Sequence, residues 1–145
     1  MRFRAGSALA HIHDPRAYEA ILSLTDDPVE GVRSGATVSL GILGDERAIE
    51  PLTRMLLSKD GTRPADMAFS HMGLMAVPAM IELLQVNDPD VRSDVICVLG
   101  DFALRFRDAR SIELLQAHAN DPDPRVGENA RDWLNEYANL KPNTA

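Results

Sequence analysis

Four histidines, one cysteine and a few adjacent carboxylates are the residues of this 145-residue chain that could do chemistry. His11 and His13 could begin a metal site. Two residues apart on a helix, however, they point to different sides, whereas ligands sharing a face stand three or four apart. His71 and His118 are isolated, the second behind an apolar run at a helix end. Cys97, in "VICVLG", has no second thiol for a disulfide or a thiolate cage, and reads as a small, buried or half-buried hydrophobe. The pair Asp26-Asp27 sits in a turn, where capping a helix explains it better than acid–base work. The chain has no Gly-rich phosphate loop, no GxSxG and no HExxH. Convergent groups for catalysis are missing, so the expectation is a protein with no catalytic residues, no metal and no cofactor.

The bulk composition narrows the partner. Acidic residues number 22 against 15 basic ones, for a net charge of -7, and Lys59 and Lys141 are the only lysines. Nucleic-acid binders draw most of their affinity from phosphate contacts by a basic stripe, and single scattered arginines do not make one. A nucleic-acid partner is therefore not expected. No apolar run approaches the roughly 20 residues that span a bilayer. The basic opening "MRFRAGSALA" has too short an apolar stretch for a secretory signal. The reading is a cytoplasmic protein with no membrane partner. At 45% hydrophobic but only 5% aromatic, the chain suits close helix–helix packing better than a β-sandwich.

What must position any functional group is a repeat. At a shift of 31, Arg2, Ala5, Leu9, Asp14, Arg16, Ala17 and Glu19 fall on Arg33, Ala36, Leu40, Asp45, Arg47, Ala48 and Glu50. At a shift of 59, Val32-Arg33-Ser34 falls on Val91-Arg92-Ser93, and Leu40-Gly41 on Leu99-Gly100. At a shift of 63, Asp45, Arg47, Ile49, Glu50 and Leu52 fall on Asp108, Arg110, Ile112, Glu113 and Leu115. A period near 30 residues is the mark of a repeat array. Each unit reads as two helices. Asp27 is the expected N-cap of the first, with Pro28 at its first position, and "NDPD" at 87–90 and "NDPDP" at 120–124 repeat that start. Val32, Ala36, Leu40 and Leu43 recur at helical spacing on one face, Gly44 is the expected C-cap, and Asp45 opens the next helix with Ile49, Leu52, Leu56 and Leu57. Strand signals are absent.

The stretch "DDPVEGVRSGATVSLGILGDERAIEPL" resembles a HEAT-like repeat of the short bacterial type first described in phycobilisome lyases. The likeness rests on an Asp-rich turn, Val-Arg, small residues, Leu-Gly, then Asp and an Ala-Ile-x-Pro-Leu helix, and covers roughly Arg2 to Leu134. It implies an all-α, right-handed α-α superhelix, an armadillo-like solenoid of about nine helices. The expected layout is one domain over 1–138, with a half unit at 1–12, units at about 14–43, 45–73, 75–107 and 108–138, and a frayed tail at 139–145. The resemblance also implies that the Val-Arg helices line the concave side, and that Asp27, Arg33, Asp88 and Arg92 pair along the stack. An anion-binding arginine ladder is the alternative use of the same arginines.

Three departures from the pattern carry the functional expectations. The segment Met1–Ile12 has an apolar face of Phe3, Ala5, Ala8, Leu9 and Ile12 with nothing in sequence to cap it, so self-association or docking is expected there. The unit "SKDGTRPADMAFSHMGLMAVPAMIELL" replaces Val-Arg by Gly61-Thr62, and Pro64 is expected to delay its helix. It offers Arg63, Asp66, Met67, Ser70 and His71 on or near the concave side. Its methionines read as adaptable core, with a partner surface as the alternative. Between Gly100 and Asp108, "DFALRFR" adds four residues relative to Gly41–Asp45, about one helical turn. Phe102, Leu104 and Phe106 there either plug a gap between units or form a projecting apolar-basic lip. The combined expectation is a non-catalytic protein-binding scaffold whose groove is lined by Arg63, Asp66, Met67, Ser70, His71, Ser93, Arg105 and Phe106. Its partner would bring a basic or mixed-charge segment with an apolar anchor. An accessory subunit of a bilin lyase or related chaperone is the alternative. A HEAT-like DNA glycosylase is a third reading, opposed by the acidic charge.

Overall fold

The computed structural model describes residues 16–58 and 62–140, with Thr62 and Arg63 described by their backbone alone. Every regular element among them is helical, and no strand occurs. The segment 1–12, on which the self-association expectation rests, lies outside the described residues, as does the end of the 139–145 tail. The chain divides into two compact units, Met1–Ala76 and Val77–Ala145.

In the first unit, α1 (Ala17–Ser23) runs into a 3₁₀ turn at Leu24–Asp26, and α2 (Glu30–Leu43) follows. A second 3₁₀ turn (Glu46–Ala48) leads into α3 (Ile49–Ser58). α4 (Thr62–Met72) ends in a third 3₁₀ turn, Gly73–Ala76. α2 packs against both α1 and α4, and α3 packs against α4. The apolar stripe read from the sequence is the one that is buried. Leu40, Leu52, Leu56 and Phe69 lose all or nearly all of their exposure, and Ile21 from α1 joins them.

Local signals explain most boundaries. Gly44 ends α2 in the left-handed conformation at φ 68°, which costs glycine nothing. The Asp45 carboxylate accepts the Arg47 N–H and starts the next turn. Pro51 and Pro78 sit in the first turns of their helices, where no backbone donor is lost. Two expectations need correction. Asp27 is not the cap of α2. The capping position is Val29, whose N–H is taken by the buried Asp27 carboxylate at 2.9 Å, so Pro28 lies in the turn before the helix. Pro64 does not delay α4, which begins at Thr62 and carries the proline in its first turn, where a missing N–H is tolerated.

In the second unit, α5 (Val77–Leu83) is followed by α6 (Pro89–Phe106), α7 (Ala109–His118) and α8 (Pro124–Asn139). α6 packs against α5, α7 and α8, and α7 packs against α8. Asp88 and Asp123 cap α6 and α8, each with proline at the first helical position. α6 has 18 residues against 14 in α2, so the four added residues do extend the helix by one turn. It ends on Arg107 at φ 53°, the one non-glycine residue with positive φ among those described.

The repeated Leu-Gly has a packing cause. A Cβ on Gly41 would stand 2.2 Å from the Ala68 carbonyl oxygen of α4, and one on Gly100 would stand 2.1 Å from the Trp133 ring of α8. In each unit this glycine lets the next Val-Arg-type helix come into direct contact.

Candidate protein-binding surface

In the first unit the candidate residues lie on α4. Met67 is 52% exposed, although the methionines of this segment were expected to pack inward. Met72 and Met80 do so, whereas Met75 is exposed with Leu74. One turn after Met67, His71 is also exposed, and Asp66 and Ser70 are half-buried beside them. The Asp66 carboxylate accepts the Met67 N–H at 2.6 Å. The side chain of Arg63 lies outside the described residues. The outward side of α4 therefore carries Met67 and the His71 imidazole, and the 3₁₀ turn at Gly73–Ala76 exposes Leu74 and Met75.

In the second unit the candidates lie on α6. The Ser93 hydroxyl accepts a hydrogen bond from the Asn129 amide of α8 at 2.8 Å, so it ties two helices together. Arg105 donates to Asp101 one turn back at 2.8 Å, and its guanidinium lies 5.0 Å from the centre of the Phe106 ring. Phe106 is 42% exposed and rests against Phe102, which is fully buried, with ring centres 5.9 Å apart. Phe102 therefore fills the interior of its unit, and Phe106 projects.

The repeat arginines make structural hydrogen bonds, Arg33 to the Asp27 turn and Arg92 to the turn before α8. Arg33 donates to the backbone carbonyls of Asp27 and Pro28, at 2.8 and 3.1 Å. Arg92 donates to the Val86 carbonyl at 3.0 Å, which, like Asp27, stands six residues earlier. The carboxylate paired with Arg92 is Asp121, in the turn before α8, held by two hydrogen bonds at 2.8 and 3.0 Å. That pair is nearly sealed, with side-chain exposures of 12% and 4%. The Arg92 hydrogen bonds hold the Asp121 carboxyl below the ordinary carboxylate range, and Asp121 in turn raises the guanidinium. Asp121 also accepts the Asp123 N–H, as Asp27 accepts that of Val29. The counterpart of Asp27 is therefore Asp121, five residues ahead of Val126 as Asp27 is ahead of Val32. Asp88, which caps α6, is not that counterpart. Counting back from Val32 and Val126, rather than matching Asp-Pro to Asp-Pro, would have found it.

A feature not read from the sequence is a shallow cleft of about 340 Å³ in the first unit. It lies between Leu22, Thr25 and Asp26 on one side and Pro51, Arg54 and Met55 on the other. Among the described residues, no group of three or more His, Cys, Asp or Glu side chains is placed to hold a metal ion. Cys97 is half-buried.

Residues 1–70 match the family described as HEAT repeats. That match places HEAT repeats in just under half of the chain. Among solved structures, the chain is similar to the complex of CpcE and CpcF of phycocyanin lyase from Nostoc sp. PCC7120, with a TM-score of 0.57 at 22% identity. That match covers 94% of this chain and 59% of the other, so the chain spans about three-fifths of that protein's length. An engineered protein matches at 20% identity over 94% of this chain and 72% of its own, with a TM-score of 0.46. Human deoxyhypusine hydroxylase in complex with glycerol matches at 21% identity over 94% and 67%, with a TM-score of 0.36. At these identities the likeness is one of fold. No curated protein matches the sequence. Among the described residues, no helix is long and apolar enough to cross a membrane.

Proposed function

We propose that this HEAT-like repeat protein is a non-catalytic scaffold that holds a segment of another protein against its Val-Arg helices. The observation that carries this reading is the exposure of Met67 and His71 on α4, a helix whose Ala65, Ala68 and Phe69 are fully buried. Thioethers repack easily around a partner's side chains, which suits a surface that accepts an apolar anchor. In the second unit the corresponding residues are Ser93, Arg105 and Phe106 on α6. Acidic residues dominate the chain, so the partner segment is basic or of mixed charge. The experiment is affinity measurement on a partner recovered with the intact protein. Met67→Ala and His71→Ala should weaken binding, while Glu50→Ala and Glu113→Ala, on the second helix of their units, should not. The reverse pattern would move the function to the second helices.

The likeness to the phycocyanin lyase complex favours a second reading, an accessory subunit of a bilin lyase or a related chaperone. An absorbance titration with free bilin separates the two. A saturable spectral shift supports the accessory role, and an unchanged spectrum leaves the scaffold.

A further inference from the structure

The end of α6 departs from the repeat in a way that neither packing nor capping requires. At the shift of 63 that maps Asp45 onto Asp108, Arg107 stands where the first unit has Gly44. Both residues end their helix in the left-handed region, at φ 68° for Gly44 and 53° for Arg107. Glycine adopts that conformation freely and arginine does not, so the second unit retains a side chain where the fold favours none. That side chain is exposed, and its guanidinium lies 5.4 Å from the centre of the Tyr137 ring of α8. Arg107 makes no ion pair among the described residues. The neighbouring arginines of this end are paired, Arg105 with Asp101 and Arg110 with Glu113. Beside Arg107 projects the Phe106 ring.

We infer that Phe106, Arg107 and Tyr137 form a docking lip for an acidic peptide segment that carries an apolar side chain. The guanidinium, already laid on an aromatic face, offers a fork of donors to a carboxylate, and the exposed ring offers an apolar contact next to it. Charge complementarity selects the occupant. In a chain of net charge -7, an acidic segment is repelled over most of the surface and attracted to a guanidinium that has no ion-pair partner among the described residues. The lip shares Phe106 with the scaffold reading but adds Arg107 and Tyr137 and an acidic occupant, and it involves neither α4 nor Met67.

The probe is a fluorescein-labelled hexapeptide, Glu-Glu-Leu-Phe-Glu-Glu, with Lys-Lys-Leu-Phe-Lys-Lys as its charge-reversed control, read by anisotropy with the full chain. The acidic peptide should bind and weaken as salt rises from about 50 to about 300 mM. Arg107→Gly should weaken it by about tenfold or more, as expected of an anchor residue, and Arg107→Lys by less. Arg107→Gly should melt no lower than the parent, since glycine suits the left-handed position. Met67→Ala should leave the acidic peptide's affinity unchanged, so failure at the lip and failure at α4 are read separately. The inference is overturned by any of three outcomes. These are failure of the acidic peptide to bind the parent, equal binding by Arg107→Gly, and a lower melting temperature for Arg107→Gly, which would make the Tyr137 contact a structural brace.

Discussion

Replacing Gly41 by alanine adds one methyl group at the place where α2 meets α4. That methyl would stand 2.2 Å from the Ala68 carbonyl oxygen, 2.5 Å from its Cα and 2.7 Å from its carbonyl carbon. Ordinary contact between such atoms begins near about 3.5 Å, so the helices must part by about 1 Å. The obstructing atoms are backbone and cannot rotate away. Overpacking of this kind costs about 1–3 kcal/mol, and the rigidity of the neighbour puts Gly41→Ala near the upper end. Alanine's better helix propensity offsets up to about 1 kcal/mol, which leaves a net loss of about 2 kcal/mol. In a chain of this length that lowers the melting temperature by roughly 4–8 °C. Two glycines in the same helix region serve as controls. Gly31 has nothing within 4 Å, so Gly31→Ala should be neutral or stabilising by a few tenths of a kcal/mol, as for an exposed site in the first helical turn. Gly44 is also in open space but has φ 68°, so Gly44→Ala should cost about 1 kcal/mol through backbone conformation alone. The assay is thermal and urea unfolding followed by helical circular dichroism. If Gly41→Ala proves as harmless as Gly31→Ala, α2 and α4 do not approach at residues 41 and 68, and the packing of the first unit is wrong.

Other outcomes follow from the second unit. Arg92→Ala strands the nearly sealed Asp121 carboxylate and should destabilise by about 3 kcal/mol, as breaking a buried pair does, measured by urea unfolding at neutral pH. Because the folded-state pKa of Asp121 is lowered, its contribution is complete above the unfolded value near about 3.9 and disappears as pH falls through the folded value; Asp121→Asn should flatten stability in that acid range. Asp88→Ala removes the cap of α6 and should cost about 1 kcal/mol in the same assay. Phe102→Ala empties a fully buried ring position and should cost about 3–5 kcal/mol, whereas Phe106→Ala, half-exposed, should cost far less.

Much of this architecture is legible in the residues because the signals are local. The αL glycine at 44, the caps at Asp45 and Asp88, and the extra turn of α6 each depend on a few neighbouring residues, and each is found where the pattern puts it. Errors arose where the cause lies elsewhere in the chain. Asp27 resembles Asp88 in its Asp-Pro dipeptide, but its role is set by distance from the Val-Arg position, which makes Asp121 its counterpart. Trp133 has its indole laid over Gly100, a contact across about thirty residues that no local pattern reveals. The candidate site was legible only as a departure from the repeat. That α4 differs is plain from "GTRPADMAFSHMG", yet the outward turn of Met67 depends on which helices cover α4. The left-handed Arg107 was hidden because only the alignment of Gly44 with it, together with its dihedral angle, exposes the substitution.

The measurement that bears most directly on the scaffold reading is site-specific photo-crosslinking from the intact protein, with a photoreactive residue placed at position 67 or at position 50. The account predicts a discrete crosslinked protein from position 67, its attached peptide rich in basic residues and carrying an apolar side chain, and none from position 50. Crosslinking from position 50 with none from position 67 would contradict it, and would assign binding to α3.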